Sequence, residues 1–312
     1  MSTPDVWIPF PAADLAPLPR SLTYVHWDGE DEFPADPARC AMYVVPYMKT
    51  QEVSLRPIPA MPGLRVVQTL TAGIDHMLPA LPGLPAGAVL CNAGGLHDTS
   101  TAELALALAL AAQRDLPGAV RAQDAGRWEP TVRPSLADRR VLIVGYGGIG
   151  SAIEDRLVPF EVAEVVRVAG RARDTARGPV HAAEELPALL PQAEIVFLAT
   201  PLTDATRGMV GAEFLGRMPD GALLVNVCRG AVVDTKALLA EVESGRLRAA
   251  LDVTDPEPLP AEHPLWRAPG VLVTPHVGGP STAFRPRALR LVREQVTRFA
   301  AGEEPHHVVA RG

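Results

Sequence analysis

Cysteine is scarce in this sequence, because its 312 residues include only Cys40, Cys91 and Cys228. This odd and scattered set excludes a disulfide framework, and it offers no CxxC spacing for a metal. Long apolar runs are absent too: the longest, at residues 104–112, falls far short of the roughly 20 residues that span a bilayer. The first ten residues carry no basic segment followed by an apolar core, so we expect no signal peptide. We therefore expect a soluble cytoplasmic protein with no metal site and no membrane partner.

Basic residues are fewer than acidic residues, so the net charge is −7 and the pI is near 5.6. This balance disfavours a nucleic-acid partner, which would be held by contacts to phosphates. A small anionic substrate stays compatible, because local charge can oppose net charge. Hydrophobic residues make up 47% and charged residues 21%, which is typical of a globular protein. The length predicts two domains.

Short apolar runs alternate with helix-like segments along most of the chain. Continuous apolar runs bounded by turns are typical of strands buried on both faces of a parallel sheet. We predict strands at residues 6–8, 24–26, 41–45, 65–68, 89–91, 141–144, 165–168, 195–199, 223–227, 249–253 and 271–274. The predicted helices are at residues 99–113, which are apolar all round, and at 150–157, 183–190, 235–244 and 282–301. Repeated β-α-β units of this length predict a doubly wound parallel sheet.

A glycine-rich turn follows the strand predicted at residues 141–144 and begins a helix, with Gly145, Gly147 and Gly150 in a G-x-G-x-x-G pattern. In this context the first glycine permits the tight turn, the second lets a pyrophosphate approach the backbone, and the third permits close helix–strand packing. The pattern therefore predicts a dinucleotide site at the helix N-terminus. The alternative is a glycine-rich turn that binds no ligand.

The end of the next strand bears on the choice of dinucleotide. NAD enzymes carry an acidic residue there for the ribose 2′-hydroxyl, but this chain has Gly170, followed by Arg171 and Arg173. Two guanidinium groups could donate to a 2′-phosphate, so we predict a preference for NADP(H), with NAD(H) as the alternative cofactor. In the alternative interpretation the two arginines are solvated, and Asp174 takes the acidic role after a longer strand.

Three short stretches in the C-terminal half each place one functional residue at the end of an apolar run. They are 226–230, which contains Arg229, 255–258, which contains Glu257, and 274–279, which contains His276. An arginine, a carboxylate and a histidine placed in this way are typical of a site in which the arginine binds an anion and the histidine, beside the carboxylate, transfers a proton.

Together these motifs resemble the D-isomer-specific 2-hydroxyacid dehydrogenases, a family that includes glyoxylate/hydroxypyruvate reductases and phosphoglycerate dehydrogenase. The resemblance extends from about residue 64 onward, and its landmarks are residues 71–75, the glycine turn and residues 200–208, 226–234, 251–260 and 274–279. It implies that His276 is the acid/base, that Glu257 hydrogen-bonds this histidine and orients it, and that Arg229 binds the substrate carboxylate. It further implies that the backbone N–H groups of Ala72 and Gly73 meet that carboxylate. The cofactor-binding residues that we predict are Gly145, Gly147, Gly148, Ile149, Gly150, Arg171, Arg173, Thr200, Pro201, Thr206, Val227, Cys228, Asp252, His276 and Gly278.

The resemblance also implies a fold of class α/β with two domains. A Rossmann-type domain at residues 99–281 would bind the cofactor, and a smaller flavodoxin-like domain at 1–98 and 282–312 would bind the substrate, with a cleft between them. The implied reaction is hydride transfer between NADP(H) and a small 2-keto or 2-hydroxy acid, such as glyoxylate or hydroxypyruvate. Members of the family are commonly homodimers. The alternatives are an NAD-dependent dehydrogenase of a bulkier D-2-hydroxy acid and a nucleotide-sensing regulatory protein on the same fold.

Several assignments have simpler alternatives. Asp252 could merely cap a strand end, and Glu257 could be an exposed turn residue. Asp234 is expected to be the N-cap of the following helix, and Cys228 a small packing residue. Thr254 stands where the family often has phenylalanine, which predicts different packing beneath Glu257.

Overall fold

The computed structural model describes residues 3–30 and 32–312. The chain divides into two compact units. One consists of Met1–His97 with Thr282–Gly312, and the other of Asp98–Ser281. Within the described residues, no helix combines the length and the apolar character needed to cross a membrane.

The regular elements are numbered along the chain. The strands are β1 (Asp5–Ile8), β2 (Thr23–His26), β3 (Cys40–Val44), β4 (Val66–Gln68), β5 (Val89–Cys91), β6 (Arg140–Val144), β7 (Glu164–Ala169), β8 (Arg173–Thr175), β9 (Gly178–Ala182), β10 (Ile195–Leu198), β11 (Leu223–Asn226), β12 (Arg248–Leu251), β13 (Val271–Val273) and β14 (Val308–Arg311). The helices are α1 (Gln51–Leu55), α2 (Asp98–Arg114), α3 (Leu116–Asp124), α4 (Gly148–Leu157), α5 (Leu186–Leu189), α6 (Ala212–Arg217), α7 (Thr235–Glu243) and α8 (Phe284–Ala301).

The first unit contains a six-stranded sheet in the order β14-β5-β4-β3-β1-β2, in which only β14 runs antiparallel to its neighbour. Both faces are buried, because Met42 and Val44 of β3 join one apolar cluster while Tyr43 joins another. The first cluster also contains Val292 and Val296 of α8, so the apolar stripe of this basic helix covers that face.

The second unit contains an eight-stranded sheet in the order β13-β12-β11-β10-β6-β7-β9-β8. All neighbouring strands are parallel except β8 and β9. Leu142 and Val144 of β6 face one buried cluster and Val141 and Ile143 face the other, which explains why the predicted strands are continuous apolar runs. The strand order reverses between β6 and β10, and ligands bind at such switch points in open α/β sheets. The predicted α/β class is confirmed.

Most predicted elements appear within one or two residues of their expected bounds. The apolar helix expected at residues 99–113 is α2, and its alanines pack with β6 and α4 in one buried cluster. Asp234 is the N-cap of α7, as expected, because its Oδ1 accepts from the N–H groups of Lys236 and Ala237. The prediction of one continuous helix at residues 183–190 was wrong. Prolines interrupt this segment, so it forms the four-residue helix α5 between two 3-10 turns.

Candidate functional site

The glycine turn between β6 and α4 has the shape that a dinucleotide requires. Gly145 has φ +100°, and a Cβ there would lie 2.4 Å from the backbone of Ala199 and Thr200, which follow β10. A Cβ on Gly150 would lie 2.2 Å from the carbonyl oxygen of Gly145. Larger residues at these two positions would force the turn apart, so both glycines are needed for its close packing.

Gly147 differs from these two because a Cβ built on it meets nothing within 4 Å. Gly147 is the N-cap of α4 and has no side chain with which to cap that helix end. The space beside Gly147 is therefore open, and it adjoins the N-terminus of α4, which carries the positive end of the helix dipole. These residues fit the pyrophosphate of a dinucleotide.

The residues that follow β7 are those predicted to contact the 2′ group of the cofactor's ribose. Strand β7 ends at Ala169, so Gly170 occupies the predicted position, and Asp174 lies in the separate strand β8 rather than at the end of a longer β7. Arg171 is exposed. Arg173 donates from Nη2 to the carbonyl oxygen of Tyr146 over 2.5 Å, which fixes its guanidinium beside the glycine turn.

Arg177 is a third arginine in this region, and the sequence analysis missed it. It lies between β8 and β9, donates from Nη1 to the carbonyl oxygen of Ser151 over 2.9 Å, and pairs with Asp155 over 2.6 Å. It is thereby tied to the first turns of α4. No sequence signal marked it, because β8 and β9 are short and polar and were not predicted.

A buried ion cluster supports the same turn from below. Arg167 donates from Nε to Glu154 Oε2 over 2.9 Å, and the Tyr146 hydroxyl donates to the same carboxylate. Burial works against ionisation of Glu154, but the hydrogen bonds from Arg167 and Tyr146 outweigh it and lower the pKa of the carboxyl. Tyr146 belongs to the glycine turn, so this cluster holds the turn against α4 and β7.

Five more of the predicted cofactor residues, Thr200, Pro201, Thr206, Val227 and Cys228, lie in the loops after β10 and β11. Thr206 Oγ1 donates to the carbonyl oxygen of Pro201 over 2.6 Å and accepts from the N–H of Thr203 over 2.8 Å, which closes the loop that begins at Thr200. Val227 and Cys228 are buried beneath the neighbouring loop. Burial raises the pKa of the Cys228 thiol to about 11, in accord with a packing role and not with a nucleophile.

Arg229 lies in the loop that follows β11. The buried Asn226 holds this loop, because its Nδ2 donates to the carbonyl oxygen of Arg229 over 3.1 Å and its Oδ1 accepts from the N–H of Cys228 over 3.0 Å. A Cβ on Gly230 would lie 1.9 Å from the carbonyl oxygen of Thr254. The glycine therefore lets the Arg229 loop lie directly against the loop that carries Glu257.

Glu257 and His276 are brought into direct contact, with Oε1 of the glutamate 2.6 Å from Nδ1 of the histidine. Both side chains remain partly exposed. A carboxylate only accepts hydrogen bonds, so it places a hydrogen on Nδ1 and leaves Nε2 as the nitrogen that exchanges a proton with a substrate. This pair is the arrangement of a general acid with an orienting carboxylate.

Asp252 anchors the loop that carries His276. Its buried carboxylate accepts from Thr274 Oγ1 over 2.6 Å, from the N–H of Val277 over 2.9 Å and from the N–H of Gly278 over 2.8 Å. The N–H of His276 itself donates to the carbonyl oxygen of Asp252 over 2.8 Å, and His276 has φ +54°. Asp252 therefore fixes the unusual backbone at His276, a role that its sequence position did not reveal. Its predicted contact with the cofactor stays a prediction.

Ala72 and Gly73 belong to the first unit and follow β4. The carbonyl oxygen of Ala72 accepts from Asn92 Nδ2 over 2.9 Å, and that of Gly73 accepts from Thr71 Oγ1 over 2.8 Å. No acceptor within residues 3–30 and 32–312 engages the N–H groups of Ala72 and Gly73. Adjacent backbone N–H groups of this kind are donors available to an anion, and we call this pair the Ala72–Gly73 cradle.

Comparison with known proteins agrees with this geometry. Residues 106–278 match the D-isomer specific 2-hydroxyacid dehydrogenase, NAD binding domain, family. The chain is 32% identical over 267 residues to a glyoxylate reductase of Korarchaeum cryptofilum, covering 83% of this chain and 80% of that protein. It is 36% identical over 230 residues to the human glyoxylate reductase/hydroxypyruvate reductase, covering 69% and 67%.

Solved structures agree as well. An NADPH-dependent glyoxylate/hydroxypyruvate reductase from Sinorhizobium meliloti, in complex with NADP and sulfate, matches with a TM-score of 0.82 and 27% identity over 99% of this chain and 98% of that one. A D-isomer specific 2-hydroxyacid dehydrogenase from Xanthobacter autotrophicus Py2, in complex with NADPH and MES, matches with a TM-score of 0.80 and 30% identity over 99% and 98%. The chain therefore belongs to the D-isomer-specific 2-hydroxyacid dehydrogenases, which are NAD(P)-dependent oxidoreductases.

Proposed function

We propose that this protein is a reductase of small 2-keto acids, such as glyoxylate or hydroxypyruvate, with NADPH as the hydride donor. The hydrogen-bonded pair of Glu257 and His276 carries the proposal, because it lies in the same unit as the open glycine turn and beside the loop of Arg229. In this proposal residues 98–281 bind the cofactor, and the remaining unit contributes the Ala72–Gly73 cradle to substrate binding.

The proton and the charges of the substrate are handled by three side chains. His276 holds a proton on Nε2 and donates it to the keto oxygen, while Glu257 accepts a hydrogen bond from Nδ1 and keeps the ring oriented. The guanidinium of Arg229 pairs with the substrate carboxylate and polarises the ketone. A reduced dinucleotide held through its pyrophosphate at the glycine turn would supply the hydride that completes the reduction.

The test of this function is oxidation of NADPH with a panel of 2-keto acids. We expect turnover with glyoxylate or hydroxypyruvate, and a loss of about 10²-fold or more in kcat for His276→Ala, because a general acid contributes roughly 10²–10⁴-fold. His181→Ala is the matched control, since His181 pairs with Glu185 over 2.8 Å through the same ring nitrogen but lies outside the site. The proposal fails if the wild type reduces no 2-keto acid, or if the two histidine variants are equally active.

The preference for NADPH over NADH is a separate part of the proposal. It is supported by Gly170 at the end of β7, which removes the acidic partner of the 2′-hydroxyl, and by Arg173, whose guanidinium is fixed beside the glycine turn. We expect Arg171→Ala and Arg173→Ala to lower the ratio of kcat/KM for NADPH to kcat/KM for NADH by about tenfold each, the effect of one charge-assisted contact. Arg156→Ala, on α4, should leave the ratio unchanged. A wild type that favours NADH would exclude the preference.

We propose further that the protein is a homodimer that associates through the cofactor-binding unit. The support is an exposed apolar set in that unit, in which Trp128 is 93% exposed and Val132 is 100% exposed, with Leu116 and Val120 half exposed. The four exposed side chains fall within one stretch of the chain, residues 116–132, and exposed large apolar side chains are typical of interaction surfaces. Size-exclusion chromatography with light scattering should give twice the chain mass for the wild type and the monomer mass for Trp128→Ser. A monomeric wild type would exclude the dimer.

A further inference from the structure

The peptide groups of the Ala72–Gly73 cradle have carbonyl oxygens that all accept hydrogen bonds within the first unit. The carbonyl oxygen of Thr71 accepts from the N–H of Ala93 over 2.9 Å and from Thr69 Oγ1 over 3.1 Å. The next two carbonyl oxygens, of Ala72 and Gly73, accept from Asn92 Nδ2 over 2.9 Å and from Thr71 Oγ1 over 2.8 Å.

A trans peptide is planar, and its N–H points away from its C=O. Holding the carbonyl oxygens of Thr71, Ala72 and Gly73 therefore fixes the directions of the N–H groups of Ala72, Gly73 and Ile74, each opposite to the carbonyl group of its own peptide. In the described part of the chain these three N–H groups have no acceptor. Two side chains, of Asn92 and Thr71, thus determine where two of the three donors point.

Every polar atom of Asn92 takes part in a hydrogen bond. Its N–H donates to the carbonyl oxygen of His307 over 3.1 Å, and its own carbonyl oxygen accepts from Gln68 Nε2 over 2.9 Å. Its Oδ1 accepts from the N–H of Gly94 over 3.2 Å, which fixes the side-chain amide with Nδ2 toward Ala72.

The fully buried Gln68 extends this network to α8. Its Oε1 accepts from Nε2 of the equally buried Gln295, which also donates to the carbonyl oxygen of His306 over 2.9 Å and accepts from the N–H of His306 over 2.9 Å. A buried polar network in which every member is satisfied specifies one geometry, because any rotation leaves a donor or acceptor unpaired. Asn92 is therefore rigidly placed before any substrate arrives.

We propose that Asn92 and Thr71 are positioning residues for substrate binding: they aim the N–H groups of the Ala72–Gly73 cradle at the carboxylate of the 2-keto acid. The proposal rests on the proposed function, since it assigns the anion to the substrate of that site. Neither residue touches the substrate. Both act through the backbone whose carbonyl oxygens they hold, so their loss weakens carboxylate binding more than the chemical step.

The test separates substrate binding from turnover in Asn92→Ala and Thr71→Val. We expect KM for glyoxylate to rise about tenfold in each, the equivalent of one misdirected hydrogen bond to an anion, while kcat and KM for NADPH change less than about threefold. Ser54→Ala is the matched control, because Ser54 is a buried polar residue of the same unit whose hydroxyl donates to Thr50 and does not contact the cradle.

Binding of oxalate, measured by calorimetry, keeps this proposal distinguishable from the proposed function. We expect the Kd of oxalate to rise about tenfold in both variants even if the wild type reduces no 2-keto acid. Thr71→Val decides the outcome if Asn92→Ala does not fold. Unchanged KM and unchanged oxalate Kd in a folded variant overturn the proposal. Equal rises in KM for glyoxylate and NADPH overturn it too, since they indicate general loosening.

Discussion

Replacement of Asp252 by asparagine tests how the His276 loop is held. The two side chains are nearly equal in size, but the amide has one acceptor oxygen where the carboxylate has two. Oδ1 accepts from Thr274 Oγ1 and from the N–H of Val277, and Oδ2 accepts from the N–H of Gly278. Whichever position the NH₂ group takes, it faces a donor of the loop.

The magnitude follows from that mismatch. A buried donor left without its acceptor costs about 1–3 kcal/mol, and the hydrogen bonds that remain lose the strengthening given by a full negative charge. The native loop should therefore be destabilised by about 2–4 kcal/mol relative to displaced arrangements. Displacement of a catalytic group by about 1 Å costs about 10²-fold in rate, so we expect Asp252→Asn to lower kcat by about that factor.

The assay is steady-state reduction of glyoxylate, combined with thermal unfolding. Asp234→Asn is the matched control, because Asp234 also accepts from two backbone N–H groups but as a helix N-cap, where asparagine serves equally well. The control should keep kcat and the melting temperature. If Asp252→Asn retains kcat within about threefold of the wild type, the carboxylate does not hold the His276 loop in its working position.

Three further predictions follow from the glycine turn, its ion cluster and the thiols. Gly147→Ala should fold normally but bind NADPH at least about tenfold more weakly, because its Cβ meets no protein atom yet enters the open space above the turn. Gly145→Ala should instead lower the melting temperature, because its Cβ would lie 2.4 Å from backbone atoms; unfolding curves of the two variants test the contrast. Glu154→Gln should destabilise the protein by about 3 kcal/mol at pH 7, since it breaks a buried ion pair. The folded-state pKa of Glu154 is lowered, so the stabilising effect of this carboxylate is present above the unfolded pKa of about 4.3 and is lost as pH falls through the folded pKa. The difference in denaturant midpoint between the wild type and Glu154→Gln should therefore shrink below about pH 4–5. A difference that stays constant with pH would contradict the ion pair. Finally, burial raises the pKa of all three cysteines, so the folded protein should react with a thiol reagent at pH 8 only after unfolding, and rapid labelling of the native protein would refute this.

The local motifs of the site could be predicted from the sequence because their information lies in a few consecutive residues. The glycine turn needs glycine at Gly145 and Gly150 for steric reasons that act within one β-turn-α unit and its neighbouring strand. Likewise, strands buried on both faces appear as continuous apolar runs whatever their neighbours are. A glycine turn or a strand buried on both faces therefore has the same sequence pattern in any fold that contains it.

Strands β8, β9 and β14 could not be predicted in the same manner. Arg173–Thr175 and Val308–Arg311 are short and carry charged residues, and Gly178–Ala182 begins with glycine and proline, so no apolar periodicity marks the three strands. They are strands only because an edge of a sheet offers them backbone partners. Arg177 was missed for this reason, because its place beside α4 depends on the turn between two unpredicted strands.

The sequence by itself determined the family, the two series of parallel strands and the identities of Arg229, Glu257 and His276 as a set, because each depends on residue types at fixed local spacing. The tertiary structure alone decided what holds those residues in place. Asp252 meets its donors 22 to 26 residues later, and Asn92 meets the carbonyl oxygen of Ala72 at a separation of 20. Hydrogen bonds of this kind depend on which loops meet at the carboxyl ends of neighbouring strands, and that is set by the order of strands in each sheet.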